Sequence, residues 1–244
     1  MNFWEPGGRR MYKTVPLKVT AHIFDGRIAS TDGVIMLDSV LYHGWFYKYD
    51  PKVLRGEHDE QKSDQHFGLP LTHFELSDGT ETYCASRGIY KEVEKHIEHY
   101  NKRPDFFASD KMQYLDMKKG LISDSVGAYR AYRNPLVIRV VQDAKIEFYC
   151  KGTKSKVEEL LERIPSLVKK PSMGWGAVEK WDIEEVEEDY SLFHPEYGLM
   201  RPIPVEDAEK YPDFDFSKYP VMLYGVKPPY WKPCNARPCY VPVV

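Results

Sequence analysis

Between residues 155 and 186 the chain spells helix, stop, glycine turn and strand without interruption. Ser155 and Glu158 have capping-box spacing. Val157, Leu160, Leu161 and Ile164 fall at i, i+3, i+4 and i+7, one buried stripe on a helix. Pro165 closes that helix, and residues 177–186, A-V-E-K-W-D-I-E-E-V, predict a strand. A unit of this kind limits the fold to classes that mix helices with strands.

The turn inside the unit, Lys169 to Gly176, reads K-K-P-S-M-G-W-G. Glycine takes positive φ without strain and lets another backbone approach closely. A loop holding Lys169, Lys170, Ser172, Gly174 and Gly176 with free backbone N–H groups can cradle a phosphate. The same letters also describe a tight connection that buries Trp175. Both readings stand on the residues alone.

Elsewhere the pattern alternates between strands and helices. Residues 15–24, V-P-L-K-V-T-A-H-I-F, place Val15, Leu17, Val19, Ala21 and Ile23 at period two, a strand broken by Asp25-Gly26. Residues 34–49 predict a mostly buried helix that starts after Asp32-Gly33, stops at Asp50-Pro51 and carries Gly44 and His43. Residues 52–68 read as a loop. Asp78-Gly79 between 71–76 and 80–87 is a hairpin signal. Residues 90–100, rich in Lys, Glu and His, predict a short helix, and 101–126 a loop or hairpin arm. Residues 127–133, G-A-Y-R-A-Y-R, are an extended run that places Arg133 on one face and Arg130 and Tyr132 on the other. Aromatics beside cationic groups suit single-stranded nucleic acid; a tyrosine-rich strand packed on the core is the alternative. Residues 135–142 and 145–150 predict a second hairpin around Asp143-Ala144.

The net charge of −3 conceals a strong asymmetry. Residues 101–139 carry eight Lys/Arg, among them Arg103, Lys118, Lys119, Arg130 and Arg133, against four Asp. Residues 179–216 carry thirteen acidic against three basic residues. Local sign rather than the total steers a polyanion; two solvated faces would give the same tally. At 244 residues, 29% charged, the chain has no apolar run near the roughly 20 residues a membrane span needs. M-N-F-W-E-P-G-G-R-R has no apolar signal region, so a cytoplasmic protein is expected, with no membrane partner. Cys84, Cys150, Cys234 and Cys239 make no disulfide pattern, and Cys234 and Cys239 lack two further obvious ligands for zinc. No metal and no cofactor are expected.

With 51–134 set aside, the order is strand, helix, strand, strand, helix, strand, the ferredoxin-like βαββαβ order of an α+β fold. The expectation is a single domain over 1–244, with 51–134 an insertion and 187–244 a Pro/Tyr-rich C-terminal extension. A core of this kind with a glycine-rich loop between its last helix and last strand resembles the RAMP proteins of CRISPR systems, in particular the Cas-five-like subunit of type IV effector complexes. The resemblance rests on Leu37-Asp38-Ser39, Tyr129 to Val140, Lys169 to Gly176 with Trp181, Glu188-Asp189-Tyr190-Ser191, Met200-Arg201-Pro202-Ile203-Pro204 and Pro228-Pro229-Tyr230-Trp231, in that order.

The resemblance implies an RRM-like, noncatalytic subunit that grips the 5′ handle of the guide RNA (crRNA). It would cap a filament of backbone subunits beside a large subunit and meet target DNA only indirectly. The insertion would hold a basic, thumb-like arm. The RNA-binding set it points to is Lys169, Lys170, Ser172, Gly174, Trp175 and Gly176 in the loop, with Arg130, Tyr132, Arg133, Lys118, Lys119 and Arg103 on the arm side. Two other classes stay open. Metal-independent endoribonucleases of this fold would need a group such as His43, with Tyr42 and Lys48 near it, to move a proton at a 2′-hydroxyl. A protein-only interaction module would use the acidic 179–216 run.

Overall fold

The computed structural model describes residues 13–49, 68–102, 131–168 and 173–243. Its elements in chain order are β1 (Val15–Ile23), β2 (Arg27–Ala29), α1 (Leu37–Tyr49), β3 (His73–Glu75), β4 (Glu81–Tyr83), β5 (Glu92–Lys102), β6 (Tyr132–Val141), β7 (Lys145–Gly152), α2 (Lys154–Leu161) and β8 (Val178–Glu185). The C-terminal part adds β9 (Phe193–His194), β10 (Gly198–Leu199), β11 (Ile203–Pro204), β12 (Val221–Gly225) and β13 (Ala236–Tyr240). The result is a mixed α/β protein whose paired strands run antiparallel.

Strand β1 is central because its period-two apolar set has somewhere to go. Leu17, Val19, Ala21 and Ile23 are all buried, and the strand pairs with β7 on one side and β8 on the other. Ile146, Phe148 and Cys150 of β7 continue the buried face. Helices α1 and α2 supply the second layer through Leu37, Leu41, Val157, Leu160, Leu161 and Ile164. Gly44 is what brings the helices together: a methyl there would lie 2.7 Å from the Leu160 carbonyl oxygen. The polar face of β1 is tied by Lys18 to Glu147 (2.6 Å) and by His22 to Asp182 (2.7 Å).

Three sequence expectations need correction. Residues 90–100 form strand β5, not a helix, pairing with β6 from Glu92 to Lys102. The helix-favouring Glu and Lys are overridden by cross-strand pairing, since propensity is a weak prior beside tertiary context. Residues 135–142 and 145–150 are strands, but they do not pair as a hairpin. At Asp143 and Ala144, both with positive φ, the chain leaves the β2–β6–β5 sheet and enters the β7–β1–β8 sheet. The backbone that runs along the other edge of β7 is residues 84–89, through bridges Ala85–Cys150 and Ile89–Glu147. Finally, α2 starts at Lys154 with Thr153 at its N-cap position and no side-chain cap bond, so Ser155 lies inside the helix rather than capping it.

The C-terminal segment closes over the core. Strands β11–β13–β12 form a small sheet, and Leu76 of the β3–β4 turn packs with Val226, Cys239 and Val241. The deepest link is ionic. Arg201 and Asp38 are both fully buried. One guanidinium nitrogen of Arg201 lies 3.6 Å from the Asp38 carboxylate. Arg201 donates to Thr82 Oγ1 (2.6 Å), Val226 O (2.7 Å), Ala85 O (3.2 Å) and Tyr83 O. The Tyr230 hydroxyl stands 2.8 Å from both Asp38 oxygens and donates to the carboxylate. Burial pushes the Asp38 carboxyl upward, and Arg201 and Tyr230 offset that rise only in part. Three of the motifs singled out in sequence, around Asp38, Arg201 and Tyr230, thus meet at one point.

Candidate nucleic-acid interface

The glycine turn is stitched to three neighbours. Leu167 N donates to Gly176 O (2.8 Å), Gly176 N to Arg27 O (2.7 Å) at the start of β2, and Phe24 N to Ala177 O (2.8 Å) at the end of β1. Gly176 has φ +68°, and a side chain there would lie 2.2 Å from the Leu167 carbonyl oxygen, so only glycine fits. Gly174 differs: φ is +84° but no atom comes within 4 Å of a would-be Cβ, and Met173 and Gly174 are exposed. Trp175 is 3% exposed, packed with Ala29 of β2 and Ile138 of β6, and flanked by Leu136 and Val168. The reading of a tight connection is the one seen directly among the described residues. The indole is buried, Gly176 is buried with it, and Gly174 forms an exposed rim. The Trp175 ring anchors the turn instead of offering a surface to a base.

Strands β5 and β6 carry the arginine–tyrosine run. Tyr132 pairs with Lys102, Arg133 with Asn101 and Asn134 with Tyr100. Alternation places Tyr132, Asn134, Leu136 and Ile138 on one face of β6, with Lys102, Tyr100, Glu98 and His96 opposite them on β5. The Trp175 anchor packs on that same face. The Tyr100 and Tyr132 rings are 5.9 Å apart, and the Lys102 ammonium is 5.9 Å from the Tyr132 ring centre. Tyr132 lies six residues from Ile138, about 20 Å at roughly 3.4 Å per residue. Arg133 is exposed on the opposite face. The structure thus places the turn and the tyrosine pair on one face and sends Arg133 to the other.

The remaining expected contacts, Lys169, Lys170, Ser172, Arg103, Lys118, Lys119 and Arg130, lie outside the described residues. Arg139, counted in the basic stretch, is withdrawn from any steering role. It is buried, donates to the carbonyls of Ser30 and Thr31 (3.0 Å each) and pairs with Glu92.

Sequence reasoning passed over Phe24. It is 75% exposed and hydrogen-bonded through its backbone to the turn. Its signal was phase: apolar residues of β1 sit at odd positions, and Phe24 falls on the polar face. An exposed aromatic beside a glycine rim is a natural stacking partner for a base.

The rival sites are also located. His43 is on the exposed side of α1, its ring 4.9 Å from that of Tyr47, and partial desolvation lowers its pKa. Burial pushes the Tyr42 phenol up to about 12, and Lys48 pairs with Glu159 of α2. The acidic run is not uniform: Asp207 is buried and accepts from Ser77 N (2.9 Å) and Ser77 Oγ (2.8 Å). Cys234 is exposed and Cys239 buried. Among the described residues no group of three or more His, Cys, Asp or Glu could hold a metal ion, and no helix is long and apolar enough to cross a membrane.

Fold and site together define a class: an α/β protein of antiparallel sheets in which a glycine turn is pegged onto a tyrosine-bearing strand pair. The family model for CRISPR type IV associated protein Csf3 matches residues 15–242, and the chain belongs to that family. Among solved structures, it is similar to a chain from a crystal structure of the Csm3–Csm4 subcomplex in the type III-A CRISPR-Cas interference complex. That match has 12% identity and a TM-score of 0.36, and covers 86% of this chain and 84% of the other. No curated protein matches the chain.

Proposed function

We propose that this chain is the noncatalytic guide-RNA-binding subunit of a type IV CRISPR effector complex. It grips the 5′ handle of the crRNA, caps the filament of backbone subunits, contacts the large subunit and meets target DNA only through the guide. The core is ferredoxin-like, with β8–β1–β7 as three of its strands and residues 84–89 in the place of the fourth. Strands β5 and β6 are the legs of a thumb-like arm. One observation carries the reading: Trp175 fixes the exposed glycine rim to the face of β6 that also bears Tyr132. Phosphate at the rim and a base on the Tyr132–Tyr100 pair, with Phe24 as a second platform, would then be held by one rigid surface.

The test is RNA binding across a salt series. Affinity for a crRNA 5′ handle should fall steeply with salt, and substituting Lys169 and Lys170 by Ala should flatten the log–log slope by up to about two units. Tyr132→Ala should cost about 1–3 kcal/mol if a base stacks there. Absence of RNA affinity at low salt, for the chain alone and for the assembled complex, sinks the reading. The endoribonuclease alternative is decided in the same assays: cleavage of repeat RNA that disappears in His43→Ala would make the chain an enzyme.

A further inference from the structure

Three arginines are buried among the described residues, and only two of them are neutralised. Arg201 faces Asp38, and Arg139 pairs with Glu92. Arg87, 6% exposed, has no carboxylate partner among the described residues. Its Nη1 donates to Gly88 O at 3.2 Å, while its Nε, sealed from solvent, has no partner among them. Burial pulls its pKa down, and the Tyr90 and Tyr219 phenols push it back up. A guanidinium stays charged at neutral pH all the same. A charge held this way without a counterion destabilises the chain that holds it.

A side chain at Gly88 would meet Ile146 and Phe148 of the core, so Arg87, one residue earlier in the 84–89 segment, projects to the opposite face. There its backbone N–H donates to Met200 O (2.6 Å), and Leu199 N donates to the Tyr219 hydroxyl (3.0 Å). The hydroxyl has no acceptor for its own proton among the described residues. Gly198 and Tyr219 line a cavity of about 550 Å³, with Phe193, His194, Tyr197 and Phe214 around it. Arg87 thus lies behind the wall of that cavity. We propose that Arg87 is the receptor for one carboxylate, carried on an extended segment of another protein subunit that seats in this cavity. The unused Nε–Nη2 edge of the guanidinium matches the two oxygens of a carboxylate, and the Tyr219 hydroxyl adds a third donor. The aromatic lining suits the stem and neighbours of an acidic residue in a peptide, and a cavity of this volume is far larger than a lone ion needs. A polyanion fits worse. Glu196 and Asp215 stand in the same lining, and its one lysine, Lys218, is already paired with Asp215 (3.3 Å). Nothing is left there to neutralise further phosphates. The identity of the partner as a subunit of the complex rests on the function proposed above.

Arg87→Met, which keeps the length of the side chain and drops the charge, is the test. The melting temperature of the isolated full chain should stay level or rise by a few degrees, because no carboxylate within the chain uses that charge. Association with the other protein subunits of the complex should weaken at least tenfold, and Arg87→Lys, a cation without the fork, should not restore it. The crRNA affinity of the isolated chain should not change. A melting temperature that falls by several degrees in Arg87→Met would make the arginine structural and overturn the proposal. So would subunit association that Arg87→Met leaves intact. A parallel loss of crRNA affinity would make the ligand a phosphate of the guide, and a dimer of the isolated chain that Arg87→Met dissociates would make it a second copy; either result overturns the proposal. Absence of RNA affinity in a chain that still needs Arg87 to assemble would remove the guide-binding reading and leave this one standing.

Discussion

Asp38→Ala should cost about 3–5 kcal/mol of folding stability, the range for removing one partner of a buried ion pair. The reason is what stays behind. Arg201 remains fully buried with its carboxylate gone, and the Tyr230 hydroxyl loses the acceptor that stands 2.8 Å away. Arg201→Ala should be comparably damaging, because it strips the donors from Thr82, Val226 and Ala85 together. Urea denaturation checks both through the midpoint at unchanged slope. The double variant Asp38→Asn with Arg201→Met should lose less than the sum of its parts, since residues that share one network are not independent. Additive losses would mean that the 3.6 Å contact carries no coupling.

Trp175→Ala should cost about 3–5 kcal/mol as well, the usual loss for truncating a buried aromatic. Its second consequence is local. Trp175 packs on Ala29 and Ile138, and without it the described part of the turn is left with its backbone bonds to Arg27, Leu167 and Phe24. RNA affinity should fall further than in Trp175→Phe, which retains most of the packing. Gly174→Ala, at a position with φ +84° and open space around it, should strain the rim while leaving the core in place. If Trp175→Ala lowers stability but leaves RNA affinity untouched, the turn is not part of the grip.

Much of this architecture was legible in sequence where a period had only one outcome. The odd-position set of β1 could be satisfied only by a strand with one buried face, and the 157, 160, 161, 164 stripe only by a helix. Residues 90–100 misled because Glu, Lys and His favour a helix, and their pairing with β6 depends on residues 34 to 49 positions further on. The strands on either side of Asp143-Ala144 looked like a hairpin because turn chemistry reports a reversal, not which sheet each strand joins. For the site, the glycines and Tyr132 were readable as types, but which face each occupies depends on a register that sequence does not print. The opposite placement of Arg133 followed from period two. The burial of Trp175 was one of the two readings of the turn, but its packing on Ala29 and Ile138 required the third dimension.

The knot of Asp38, Arg201 and Tyr230 also has a temporal meaning. Asp38 and its hydroxyl partner are 192 residues apart along the chain. Until the ribosome has delivered residue 201, the first helix begins on a carboxylate with no cation to pair with in the interior, and until residue 230 it lacks its hydroxyl donor. Contacts of such long reach are slow to close. The polypeptide must therefore close this knot after most of its synthesis is over.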